Sequence, residues 1–84
     1  MKKISLKNYN GDGIFIDVNY NPSLVVSNCR HIPYEKLLNN YRELLNKREK
    51  YYIYCNGGIK SRKAVNILDY YGYDVTLVVK ESDK

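Results

Sequence analysis

Cysteine is scarce in this chain: Cys29 and Cys55 are the only two among 84 residues. Two are too few for a disulfide framework, and neither belongs to a CxxC pair. Histidine is scarcer. His31 stands alone and cannot complete a tetrahedral metal site with two separated cysteines unless other ligands join. No metal and no cofactor is therefore expected. No apolar run is long enough to span a bilayer. No block of lysines and arginines is long enough for a nucleic-acid tail. Neither a membrane nor a nucleic-acid partner is expected. The N-terminus carries no signal-peptide pattern, so the cytoplasm is the expected compartment and a reduced thiol the expected state of Cys55. Internal repeats, low-complexity segments and linkers are also missing.

What is present suits one small domain spanning residues 1–84. Hydrophobic residues make up 44% and charged residues 27%, ordinary values for a globular domain. So short a chain has little stability to spare, which makes its ten tyrosines important for burial. The formal charge of +5 is compatible with an anionic substrate or partner, but solvated lysines account for it equally well.

Strand and helix patterns alternate along the chain. Ile4 to Leu6 is a short strand candidate, followed by a polar turn region from Asn8 to Gly13. Ile14-Phe15-Ile16 and Val18 read as a strand buried on both faces, because the apolar residues run without alternation. A loop from Asn19 to Ser23 precedes a short strand candidate at Leu24 to Val26. Pro33 can start a helix whose apolar stripe is Leu37, Leu38, Tyr41, Leu44 and Leu45. Tyr51 to Tyr54 is a buried strand. A second helix follows over Arg62 to Tyr71, with Ala64, Ile67, Leu68 and Tyr71 on one face and Gly72 just past its end. Asp74 to Val79 is the last strand. The expected fold is α/β: a small, mostly parallel sheet of about four to five strands flanked by helices. Ligands of such sheets bind beyond the carboxyl ends of the strands.

Cys55 lies at such an end. The segment Cys55-Asn56-Gly57-Gly58-Ile59-Lys60-Ser61 joins the Tyr51–Tyr54 strand to the second helix. The positive end of that helix favours negative charge on the sulfur, and Lys60, Arg62 and Lys63 are nearby in sequence. Gly57 and Gly58 can adopt backbone angles closed to other residues, turning loop amides inward as an anion-binding nest. The loop thus suits a sulfur-centred anion, either an attacking thiolate or a persulfide. The same position also suits a small buried apolar residue. From spacing alone the two readings stay open.

CNGGIKS resembles the active-site loop of the rhodanese family of sulfurtransferases. In that loop the catalytic Cys is followed by two variable residues, Gly, a variable residue that is often Arg, and Ser or Thr. Cys55, Gly58 and Ser61 match, with Lys60 at the frequent Arg. Tyr51–Cys55 resembles the preceding apolar strand, and Lys63–Val79 the following helix, glycine and strand. Ile16-Asp17-Val18 resembles the usual Asp-Val-Arg strand, and Ile32-Pro33 with Leu37 the Asn-Ile-Pro segment ahead of a helix. The resemblance runs from about residue 4 to 79. It implies a rhodanese-like fold and a Cys55 that takes a sulfane sulfur from a small anionic donor such as thiosulfate. A thiol or cyanide would accept that sulfur. Asn56, Gly57, Gly58, Ile59, Lys60 and Ser61 would bind the donor, their amides cradling the anion. Ser61 would begin the helix.

The sequence also departs from the family pattern. Asn19 stands where Arg usually follows Asp-Val, so a family salt bridge is expected to be missing. Cys29-Arg30-His31 fills a shortened stretch before Ile32. The C-terminal family helix is absent, which would leave one sheet face partly bare. Exposed apolar surface there would favour weak homo-oligomerisation or a protein sulfur partner. Lys60 keeps the charge of Arg but loses its bidentate geometry, so weak activity toward thiosulfate is expected. Two other functions stay in view: a non-catalytic binding or sulfur-sensing module, and an oxyanion-acting phosphatase or arsenate reductase, whose longer loop would end in Arg. Asp17 is expected to serve as a structural hydrogen-bonding group, His31 as a partly exposed loop residue and Cys29 as a packing or surface residue.

Overall fold

A computed structural model describes residues 1–21 and 28–80. Five parallel strands form one sheet: β1 (Lys2–Ser5), β2 (Ile14–Asp17), β3 (Cys29–His31), β4 (Lys50–Tyr54) and β5 (Asp74–Val79). Their order across the sheet is β1-β5-β4-β2-β3. Two helices, α1 (Tyr34–Leu44) and α2 (Ile59–Tyr70), carry the chain from β3 to β4 and from β4 to β5. Both crossings run in the same direction across the sheet. Right-handed crossovers in one direction place their helices on one face. Leu37, Ala64, Val65 and Leu68 accordingly pack with Ile16, Tyr51, Ile53, Val75 and Leu77 in a single core.

The opposite face holds Phe15, Tyr52, Tyr54 and Val78, the alternate residues of the same strands. No helix among the described residues covers it. The connection from β1 to β2 runs the other way across the sheet and brings Leu6, on a short 3₁₀ turn (Leu6–Asn8), and Tyr9 onto this face. Tyr9 packs edge-on to Tyr52 with ring centroids 4.9 Å apart, and its hydroxyl donates to the Gly13 carbonyl at 2.7 Å. Phe15, Tyr52, Tyr54 and Val78 are all buried. This corrects the expectation of a bare apolar face: the connection and its aromatic residues take the place a helix would hold.

Several element boundaries also differ from those expected. The first strand ends at Ser5, and Leu6 begins the 3₁₀ turn. Cys29–His31 forms an edge strand in register with Phe15–Asp17, where the sequence showed no alternation or apolar run to mark one. The strand candidate at residues 24–26 lies outside the described residues. Helix α2 starts three residues before Arg62, so Ser61 is its third residue and not its first. Its end is as read: Gly72 has φ +93°, Tyr73 N–H donates to Leu68 O and Gly72 N–H to Asp69 O. That is a Schellman motif, and Leu68 and Tyr73 close it within the core.

Candidate active site

Strands β2 and β4 are neighbours, but their onward connections leave in opposite directions, β2 toward β3 and β4 toward β5. A crevice opens at the carboxyl ends of such a pair. Asp17 pairs with Tyr54 at those ends, and Cys55 is the next residue of the chain. The sequence therefore delivers the thiol to a point of the sheet where the connections diverge.

The Cys55 side chain is 6% exposed, at the floor of a depression of about 260 Å³ lined by Asn19, Tyr20, Gly57, Ile59 and Lys60. Two amides converge on its sulfur. Gly58 N–H donates to Sγ at 3.1 Å and Ser61 N–H at 3.3 Å, while the Ser61 hydroxyl lies 3.3 Å from the same atom. The geometry follows from the helix start. Gly58 is the residue that caps α2 and has no side chain to accept a first-turn amide. First-turn amides lack intrahelical acceptors, and the Cys55 sulfur fills that role from six residues upstream. Gly58 reaches the required turn with φ +80°, a left-handed angle that suits glycine. Of the two glycines free to adopt such an angle, Gly58 uses it and Gly57 does not.

The sequence also suggested that every amide from Asn56 to Ser61 would face the anion. Asn56 N–H does not: it donates to Asn19 Oδ1 at 2.9 Å. Gly57, Ile59 and Lys60 N–H have no acceptor among the described residues. Of the loop cations, Lys60 lines the depression, and Arg62 and Lys63 do not.

Asn19 is the residue that sequence reasoning undervalued. It stands at the position expected to lack a salt bridge, yet it ties the site together. Its backbone N–H and its Nδ2 donate to Asp17 Oδ1 at 2.8 and 2.7 Å, while its Oδ1 holds the Asn56 amide. Its carbonyl oxygen lies 2.6 Å from His31 Nε2, which gives His31 a partner and a place on β3. Asp17 is fully buried, and its Oδ2 has no hydrogen-bond partner among the described residues. The carboxylate therefore anchors the loop through Asn19, while the sulfur lies on the other side of the sheet. Asp17 raises the Tyr54 pKa, an effect second to burial. Cys29 lies on the face opposite Cys55, its thiol pKa raised first by burial and then by the Asp17 charge. The sheet thus separates the two cysteines.

No protein-family model matches the chain, and no curated protein matches it. Solved structures do. A protein of Staphylococcus saprophyticus superposes with a TM-score of 0.81 at 22% identity, covering 99% of this chain and 91% of its own. A rhodanese-related protein of Thermoplasma volcanium gives 0.80 at 24% identity, covering 95% and 85%. These two share the fold. A rhodanese-like domain protein of Staphylococcus aureus gives 0.72 at 30% identity, covering 95% of this chain and 86% of that one. The chain belongs to the rhodanese-like family. Among the described residues, no helix is long and apolar enough to cross a membrane.

Proposed function

We propose that this protein is a sulfurtransferase that carries a sulfane sulfur as a persulfide on Cys55. The observation that supports this most is the convergence of Gly58 N–H and Ser61 N–H on the Cys55 sulfur. Amides aimed at a point where negative charge develops stabilise it without reorganising. In the first step the Cys55 thiolate attacks the outer sulfur of the donor. With thiosulfate a new S–S bond forms, the old one breaks, and sulfite leaves with the electron pair. The outer persulfide sulfur then sits in the depression that Gly57, Ile59 and Lys60 line, three residues whose amides have no acceptor among the described residues. In the second step a thiol or cyanide attacks that outer sulfur, and Cys55 leaves as thiolate. Lys60 assists an anionic donor, Ser61 donates to the charged sulfur, and Asn56 shapes the loop through its bond to Asn19.

Intact-mass measurement tests the reading. The reduced protein, held with excess thiosulfate or cysteine persulfide, is expected to gain one sulfur atom. Cyanide is expected to remove it as thiocyanate, and Cys55→Ser to abolish the gain. An unchanged mass with both donors contradicts the reading and favours a binding or sensing module without turnover.

A further inference from the structure

The rim of the Cys55 depression is unusual for a site that would take a small inorganic dianion. Among the described residues lining it, Lys60 is the one cation. Asn19 stands beside it as a neutral amide whose oxygen is committed to the Asn56 N–H, so it brings no positive charge and draws one loop amide away from the ligand. The remaining wall is apolar and open. Tyr20 is 75% exposed and Ile59 66%, and they line the space above the sulfur with Gly57. That space, about 260 Å³, is the share of liquid volume of about nine water molecules. It is large for a five-atom anion.

Charge separates the candidate donors. Thiosulfate carries two negative charges toward a sulfur that must itself be negative to attack, and the repulsion has to be offset by nearby cations. A carbon-bound persulfide, R–S–SH, carries at most one charge on its reacting group and brings an organic substituent. The substituent has Tyr20 and Ile59 to lie against, and the single charge has Lys60.

The geometry points to a low-molecular-weight, carbon-bound persulfide as the preferred donor, with thiosulfate a poor one. This rests on the persulfide-carrier reading of Cys55. The Cys55 thiolate attacks the outer sulfur of R–S–SH, a new S–S bond forms and the old one breaks. The electron pair leaves on RS⁻, which takes up the proton of the transferred SH. The step exchanges one S–S bond for another and needs no outside oxidant or reductant.

The test measures second-order rates of sulfur loading on the reduced full chain by intact mass. Cysteine persulfide, thiosulfate and persulfidated serum albumin are the three donors, and the wild type is compared with Ile59→Lys. Ile59 is exposed, so the substitution adds a cation to the rim without entering the core. Wild type is expected to load about tenfold faster from cysteine persulfide than from thiosulfate, and Ile59→Lys to shrink that ratio about tenfold by speeding thiosulfate. Slower loading from persulfidated albumin than from cysteine persulfide supports a small donor, and faster loading overturns that part. Thiosulfate loading that equals or exceeds cysteine persulfide loading overturns the preference while leaving the sulfur-carrier reading intact. A ratio unmoved by Ile59→Lys also overturns it. No sulfur on Cys55 from any donor overturns both.

Discussion

The Ser61 hydroxyl touches the Cys55 sulfur, and its own side chain is fully buried. In Ser61→Ala the Gly58 and Ser61 amides stay in place and only the hydroxyl is lost. A hydrogen bond to a charged group contributes about 1.5–3 kcal/mol, so sulfur loading is expected to slow about tenfold or more with little change in Tm. Stopped-flow loading and thermal melting together check this. Asn19→Ala removes one of the two donors to buried Asp17 Oδ1, leaving the backbone N–H, and removes the acceptor of Asn56 N–H. It is expected to cost about 1–3 kcal/mol in urea unfolding, since a buried carboxylate oxygen and a loop amide both lose partners. At Gly58, alanine is expected to cost about 1 kcal/mol through its left-handed backbone. Gly57→Ala meets open space at ordinary angles and is expected to be near neutral. Much of this was legible in CNGGIKS, because the spacing of Cys55, Gly58 and Ser61 is local and reflects one turn of chain. The contribution of Asn19 was not. Its partner Asn56 lies 37 residues away, and only strand register brings β2 and β4 end to end.

At the scale of elements, helix α2 shows why its end was easier to read than its start. A glycine beyond an apolar stripe marks a Schellman ending, whereas the start is capped by a cysteine sulfur from the preceding strand end, which no capping rule for Ser, Thr, Asp or Asn would find. Gly72→Ala, at φ +93° and with its new Cβ 3.4 Å from Lys47 Nζ, is expected to lower stability by about 1 kcal/mol, measured by urea unfolding. The turn between β1 and β2 makes a separate, pH-dependent contribution. Tyr52 donates to Asp12 Oδ1 at 2.5 Å and Lys50 approaches Oδ2 at 3.3 Å. The Tyr52 bond first, then Lys50, hold the Asp12 carboxyl below its ordinary range. A lowered folded-state pKa adds stability above the ordinary carboxylate pKa, and that stability disappears as pH falls through the folded value. The Asp12-dependent part of the stability difference between wild type and Tyr52→Phe should therefore be present at neutral pH and shrink below about pH 4. Urea midpoints across that range test it.

At the scale of the molecule, the described residues form a five-stranded sheet with two helices on one face and an aromatic layer on the other. The sequence predicted the α/β alternation well, because each helix stripe and apolar run is a local pattern. It did not show how the second face would be covered, since Leu6 and Tyr9 reach it through a connection whose direction depends on strand order. That layer leaves a titration signature. Burial raises the pKa values of Tyr9, Tyr52 and Tyr54 above the ordinary tyrosine value; nearby negative charge adds to the effect at all three, and Lys50 opposes it at Tyr52. A raised folded-state pKa keeps its stabilising effect below the ordinary value and loses it as pH climbs through the folded one. Tm is expected to fall steadily above about pH 10, with these tyrosines ionising late in an absorbance titration. The most direct test of the account as a whole is peptide-level mass mapping after a sulfane donor has been applied to the reduced protein. The extra sulfur should lie on the peptide that contains Cys55, persist in Cys29→Ser and vanish in Cys55→Ser. Sulfur found on Cys29 alone, or on neither cysteine, would contradict the assignment of the β4–α2 loop as the site of transfer.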